Sequence, residues 1–428
     1  MMKRLLAFSI LAMLAGMPVM AQDGPVCNIA APDEAVELSL IGWSFPITDF
    51  YADEVAACNE VENISVDTQL LSADDAQEQV ALALSTGQDS PYDIVHGSNG
   101  EIAEWGAPGW ILPLNDLVDQ YREEYNLDDI PETVWGNATL DGQILGIPIV
   151  GNTQHLIYRA DVFEELGLEV PETYEDVIAI CNTIGLDSEW DAPFTIDLSR
   201  SRGWELEFFQ LLRAYGGDYL DEDNMPTFNG PEGLSALNTL AAVSESCVGP
   251  NGRSLSLNDQ EVAMQLGTLP STKMWASRAA NMEDPERTQL TDVIAFAPAP
   301  RVTPDSPRAG LAANDYYMIP VATTNDPDLI FRVIMEAADA ESQQRAAAVG
   351  MPARSSAAEF GGPYLPAANA TIAEGIGNYD KNPAVSVVVT SLEQFLPLVG
   401  TGDLTPQEAL DAAAETYIEE ATAQGFIE

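Results

Sequence analysis

From Val36 onward the chain alternates short apolar runs with amphipathic stretches, and this alternation limits the fold more than any other feature. Residues 36–41 read as a strand, 48–60 as a helix, 64–70 as a strand, and 74–84 as a helix capped by Ser72 or Asp74. A third strand at Asp93-Ile94-Val95 runs into the turn Gly97-Ser98-Asn99-Gly100 and a helix carrying Glu104 and Trp105. A helix through Tyr121 follows Trp110–Leu114, and the turn Asp141-Gly142-Gln143 precedes a strand over 144–150. Strands separated by helices build an α/β sheet covered on both faces.

At the N-terminus, Lys3 and Arg4 precede an apolar run that ends in Val19-Met20-Ala21, the pattern of a signal peptide over residues 1–21. The expectation is an exported chain. The first cysteine, Cys27, lies beyond the cleavage point, so a lipid anchor is not expected. The length of 428 residues and 46% hydrophobic content suit a large core split into two lobes. With 68 acidic against 17 basic residues the formal charge is −51, which repels nucleic acid and anionic lipid. We read that charge as spread over solvated faces. Four cysteines in an oxidising compartment allow three pairings. Element placement favours Cys27–Cys58 and Cys181–Cys247, each inside one lobe, with free thiols or cross-pairs as the alternatives. No Cys-x-x-Cys spacing exists, so zinc and thiol redox chemistry have no support.

The stretch Ile147-Pro148-Ile149-Val150-Gly151-Asn152-Thr153 runs into Tyr158-Arg159-Ala160-Asp161-Val162-Phe163, then Pro171-Glu172-Thr173-Tyr174-Glu175-Asp176. In order and spacing this resembles the extracellular (periplasmic) solute-binding proteins of ABC importers, the maltose-binding-protein-like carbohydrate family. Gly109-Trp110-Ile111-Leu112-Pro113-Leu114 and Gly350-Met351-Pro352-Ala353-Arg354 are similar to further elements of that family, and Tyr92-Asp93-Ile94-Val95 departs from it by Tyr92 where proline is common. The resemblance implies an α/β, two-lobed type II periplasmic-binding-protein fold, each lobe a mixed sheet flanked by helices, with a cleft between. It implies a first lobe of residues 22–150 plus 315–352 and a second of 151–314 plus 353–428. Crossings are expected near Val150–Thr153, Ala312–Tyr316 and Met351–Ser355, with a strand at 318–321 after the second.

The function it implies is capture of a sugar or polyol for delivery to the membrane permease subunits of an importer, by a monomer in the periplasm, with no cofactor. Such a site stacks aromatic rings on apolar sugar faces and aims amides, acids and guanidinium groups at the hydroxyls. Strand ends and crossings supply the candidates: Trp43 and Ser44 after the first strand, Ser98 and Asn99 after the third, Asn152 and Gln154 at the first crossing, and Asn314, Asp315 and Tyr316 at the second. Arg202 and Trp204 join them because they concentrate scarce positive charge beside an aromatic ring, and Trp275 is a further stacking candidate. Arg354 reads as structural.

Polyamine and ferric-ion ligands are the alternatives among binders, the latter because Tyr316 and Tyr317 are adjacent. A secreted carbohydrate-active enzyme is the rival from another class. Its carboxylate pairs carry no information in so acidic a chain. The two histidines, His96 and His155, stand in no metal or nucleophile motif and read as structural.

Overall fold

The computed structural model describes residues 24–186, 189–282, 284–377 and 381–427. The expected signal peptide lies outside them. Among the described residues ten strands are present: β1 (Val36–Trp43), β2 (Ile64–Leu71), β3 (Ile94–Ser98), β4 (Thr139–Leu140), β5 (Gln143–Ile144), β6 (Ile147–Asn152), β7 (Gln154–Arg159), β8 (Ser271–Trp275), β9 (Ile294–Ala297) and β10 (Ala313–Met318). A five-stranded sheet runs in the order β2-β1-β3-β10-β6, with β1 parallel to β2 and β3, and β10 antiparallel to β3 and β6. A second sheet, β8-β7-β9, is antiparallel throughout, and a parallel bridge from Thr195 to Thr272 extends it. β4 and β5 form a hairpin whose turn puts Asp141 and Gly142 at φ 48° and 79°. Both positive values suit the aspartate-glycine pair that the sequence supplies there.

Strand periodicity divides each lobe's core. Leu40, Ile94 and Tyr317 pack on one face of the first sheet with the helices Pro46–Ala56 and Pro327–Ala337, while Ile41, Val95 and Tyr316 pack on the other with Ala73–Ser85. In the second lobe Leu156 and Ile157 split the same way between a large core around the helix Ser201–Ala214 and a smaller one around Met274. The helix Ala73–Ser85 is capped by Ser72, whose hydroxyl accepts from the Asp75 amide at 3.2 Å.

Two local expectations are corrected. The supposed turn at 97–100 is the end of β3, and the helix Asn99–Glu104 starts at once because the Glu101 carboxylate takes the Ser98 amide and hydroxyl at 2.7 and 2.6 Å. The strand expected at 318–321 is shifted upstream: β10 contains Asn314 through Met318. Ile149 is the extra residue of a bulge opposite Asp315 and Tyr316, next to Pro148, which has no amide to donate.

Thr153 alone links β6 of the first sheet to β7 of the second. The chain returns between β9 and β10. On the third passage Arg354 and Ser356 still bond to the first lobe, at Asn126, Ala338 and Asp129, whereas Leu365 joins the core around Ile157. The stretch from Met351 to Leu365 therefore touches both lobes, since Met351 already joins the core around Ile157. Cys27–Cys58 and Cys181–Cys247 are both bonded as expected. No helix among the described residues is long and apolar enough to cross a membrane.

Candidate functional site

The strand directions bring the expected residues to one place. The carboxyl ends of β1, β3 and β6 and the amino end of β10 share one edge of the first sheet, and across the Thr153 link lie the start of β7 and the end of β8. Trp43, Ser44, Ser98, Asn99, Asn152, Gln154, Trp275, Asn314, Asp315 and Tyr316 all sit on these two facing edges. What separates them is whether their polar atoms are already used.

On the first lobe, the Trp43 indole is 8% exposed and stacks on the imidazole of His96, ring centroids 3.5 Å apart at 20°. The Trp43 amide donates to His96 Nδ1 at 3.4 Å. Beside it Ser44 is exposed. Asp315 is 9% exposed, and the nearest cation-forming group to its carboxylate is His96, Nε2 to Oδ2 at 3.6 Å. That distance is beyond a hydrogen bond. Among the described residues the Asp315 carboxylate has no other side-chain partner, although a nearly buried carboxylate calls for several.

The amides nearby are committed to the hinge. Asn99 donates to the Ala312 carbonyl at 3.0 Å and accepts the Tyr316 hydroxyl at 2.6 Å. Asn314 donates to the Val150 carbonyl at 3.2 Å and accepts from Asn137 at 2.9 Å. Ser98 gives its hydroxyl to Glu101. Asn152 accepts from the Thr153 and Ser277 amides, both at 3.1 Å, and donates to the Ser277 hydroxyl at 3.2 Å, so it staples β6 to the segment after β8.

On the second lobe two candidates move out of the cleft. Trp204 is 2% exposed; its indole nitrogen donates to the Leu198 carbonyl at 3.1 Å and its ring covers Gly400, where a Cβ would come within 2.4 Å. It is a core residue, because the helix it opens turns this position toward Phe208 and Leu211. Gln154 is wholly buried and accepts from Gln210 at 2.6 Å, facing the same helix. Behind it Lys273 and Glu207 pair at 2.6 Å with side chains 0% and 1% exposed. Burial pushes the Glu207 carboxyl up, and Lys273 opposes it. Arg202 is bonded to Glu205 at 2.7 Å and has Glu393 at 3.9 Å. Trp275, opposite Gln154 in register, is half-buried and remains the aromatic of the second rim.

Tyr316 and Tyr317 point into opposite halves of the first lobe's core, so they cannot grip one ion, and burial raises both hydroxyls far above the ordinary phenol range. Arg354 is buried, donating to the Ala338 and Asn126 carbonyls at 3.0 and 2.9 Å, in keeping with a structural role. His96, which reads as structural from the sequence, lies in the middle of β3 between Trp43 and Asp315. Lys381, which the sequence did not single out, lies between the lobes. The Lys381 ammonium, whose pKa burial lowers, reaches the Gly136 and Thr139 carbonyls of the first lobe, while the neighbouring Asn382 is bonded to Asn224 of the second at 2.6 Å.

The comparisons with known proteins agree with this architecture. The chain is 24% identical over 223 residues to the mannitol-binding protein of Pseudomonas aeruginosa, 51% of this chain and 50% of that one. It spans about half the length of several curated relatives that it matches. Among solved structures it superimposes on an ABC transporter solute-binding protein of Agrobacterium radiobacter in complex with ribitol, with TM-score 0.78 and 18% identity over 92% of this chain and 100% of that one. A solute-binding protein of Agrobacterium vitis with bound D-mannitol gives TM-score 0.76 and 20% identity over 92% and 99%. These likenesses establish the two-lobed fold of type II binding proteins. The family model described as bacterial extracellular solute-binding protein matches residues 46–344, and the chain belongs to that family.

Proposed function

We propose that this protein is the periplasmic capture component of an ABC importer, and that it closes its two lobes on a sugar or polyol held mainly by the first lobe. The observation that carries the reading is the pair Trp43 and Asp315. An aromatic plane pinned in place lies beside a nearly buried carboxylate with unused acceptor capacity. A polyhydroxylated carbon chain offers C–H groups to the first and hydroxyl donors to the second. The crossing at Thr153 and the return near Ala312 supply the hinge. The ligands of similar proteins, mannitol and ribitol, support a small linear polyol as the first compound to try.

The reading makes the chain a monomeric binder that presents both lobes to the permease, and not an enzyme. A thermal-shift panel tests it: D-mannitol, ribitol, hexoses, sugar acids, polyamines and ferric ion are each added to the mature protein. A ligand at a hundred times its Kd stabilises the native state by about 2.7 kcal/mol, enough for a shift of several degrees. A rise with one polyol or sugar class, and no turnover of that compound, is the expected result. A rise with polyamine alone would replace the ligand class, and turnover of a bound sugar would replace the binder with an enzyme.

A further inference from the structure

We infer that His96 is a positioning residue of the binding site, holding Trp43 in its stacking plane and serving as the partner of Asp315. His96 is 1% exposed and touches both groups at once. Its ring covers one face of the Trp43 indole at 3.5 Å, and with Trp43 8% exposed a ligand meets only the small part of the ring left open. Nδ1 accepts the Trp43 backbone amide, so the ring proton of the neutral imidazole is on Nε2. Nε2 is buried, lacks a hydrogen bond, and has Asp315 Oδ2 at 3.6 Å as its partner. A shift of roughly half an ångström brings that contact into hydrogen-bond range. The fold keeps room for the imidazole: a Cβ on Gly42 would stand 3.0 Å from the His96 Cβ, and the Tyr317 ring meets the imidazole edge-on at 6.0 Å. One side chain thus fixes the apolar and the acidic half of the cleft floor.

The affinity arm rests on the proposed sugar or polyol reading, whereas the spectroscopic arm does not. D-mannitol and ribitol are the probes, titrated into wild type, His96→Phe, His96→Ala, Asp315→Asn and the His96→Phe/Asp315→Asn pair. His96→Phe keeps a flat ring under Trp43 and removes the nitrogen that faces Asp315. It is expected to weaken binding about tenfold in the wild-type background and less than twofold when Asp315 is already Asn. His96→Ala is expected to weaken it further. The emission of Trp43 alone, obtained as the difference from the corresponding Trp43→Phe proteins, is expected to move to the red in His96→Ala and to hold its position in His96→Phe.

Equal Kd values for wild type and both single His96 variants, or a full tenfold loss persisting in the Asp315→Asn background, would overturn the inference on the Asp315 side. Unmoved Trp43 emission in His96→Ala would overturn it on the Trp43 side. If wild type takes up neither polyol nor any other sugar, the proposed function fails, and the emission shift still decides whether His96 holds Trp43.

Discussion

Each lobe places a basic side chain against an acidic one near its cleft edge, and the two pairs are built differently. In the second lobe Lys273 meets Glu207 at 2.6 Å, both sealed from solvent, with Gln210 and the Ala309 carbonyl each 3.3 Å from the ammonium. In the first lobe His96 stands 3.6 Å from Asp315, too far for a hydrogen bond, and the Asp315 side chain keeps 12% exposure. A closed pair is scaffolding, because both charges are shut inside the lobe where no ligand reaches them. An open pair leaves acceptor capacity that something entering the cleft can fill.

The comparison breaks most visibly if the sealed pair is opened. Lys273→Met leaves a buried carboxylate without its counter-charge and is expected to destabilise the protein by about 3–5 kcal/mol, read from the denaturant midpoint. Replacing both partners, Lys273→Met with Glu207→Leu, is expected to recover most of that loss. The Tyr174 hydroxyl, pushed up to about 12 by burial and drawn back by Lys273, would remain in the same pocket as a neutral group. A double variant no more stable than Lys273→Met would mean that the pair does more than neutralise itself.

The two histidines repeat the contrast on a smaller scale. His155 is buried among apolar neighbours, donates from Nδ1 to the Leu156 carbonyl at 3.1 Å, and meets Phe296 edge-on. Burial lowers its pKa to about 4. The unfolded chain, with an ordinary histidine near 6.5, therefore binds a proton that the folded chain refuses across that interval. Stability from this group is complete above about pH 6.5 and is lost as the pH falls toward 4, an effect of about 3 kcal/mol. His155→Leu is expected to flatten that part of the curve of denaturant midpoint against pH, and an unchanged slope would assign the acid sensitivity to carboxylates.

Why His96 and His155 differ could not be read from the chain itself. Strand and helix periodicity is local, so the β-α-β-α opening, the Ser72 cap and the pairing of cysteines within lobes were legible from neighbouring residues. The position of the candidates at strand ends was legible too, since direction along a strand is local information. Their availability was not, because it depends on partners far away in sequence. Asn314 is satisfied by Asn137 and Val150, and Asn99 by Ala312 and Tyr316, each more than a hundred and fifty residues distant. Trp204 shared its local pattern with a rim aromatic, and the distant Gly400 completes the burial that Phe208 and Leu211 begin. The order β2-β1-β3-β10-β6, which sets Asp315 against His96, joins segments more than two hundred residues apart.

Asp315→Asn sharpens the contrast from the open side. It removes the charge and leaves the shape, so the fold is expected to hold while affinity for the bound polyol or sugar falls tenfold to about a hundredfold, the range of a hydrogen bond to a charged group. Isothermal titration at fixed ionic strength measures it. A large loss of stability with unchanged affinity would make this acid a structural group like Glu207.

The smallest effect is expected at Asn152, which from sequence alone was as strong a ligand candidate as Trp43. Its oxygen accepts two backbone amides and its nitrogen gives one of its two protons to Ser277, so only a single N–H is left for a ligand without breaking the staple across Thr153. Asn152→Ala is expected to cost about 1 kcal/mol of stability and to change Kd by no more than about threefold, the latter through a looser hinge. Hinge loosening and ligand contact separate kinetically. A hinge effect lets the unliganded lobes sample more open forms and appears in the association rate, whereas a lost contact appears in dissociation. Faster dissociation with a tenfold loss of affinity would return Asn152 to the binding surface and show that closure exchanges its internal bonds for bonds to the ligand.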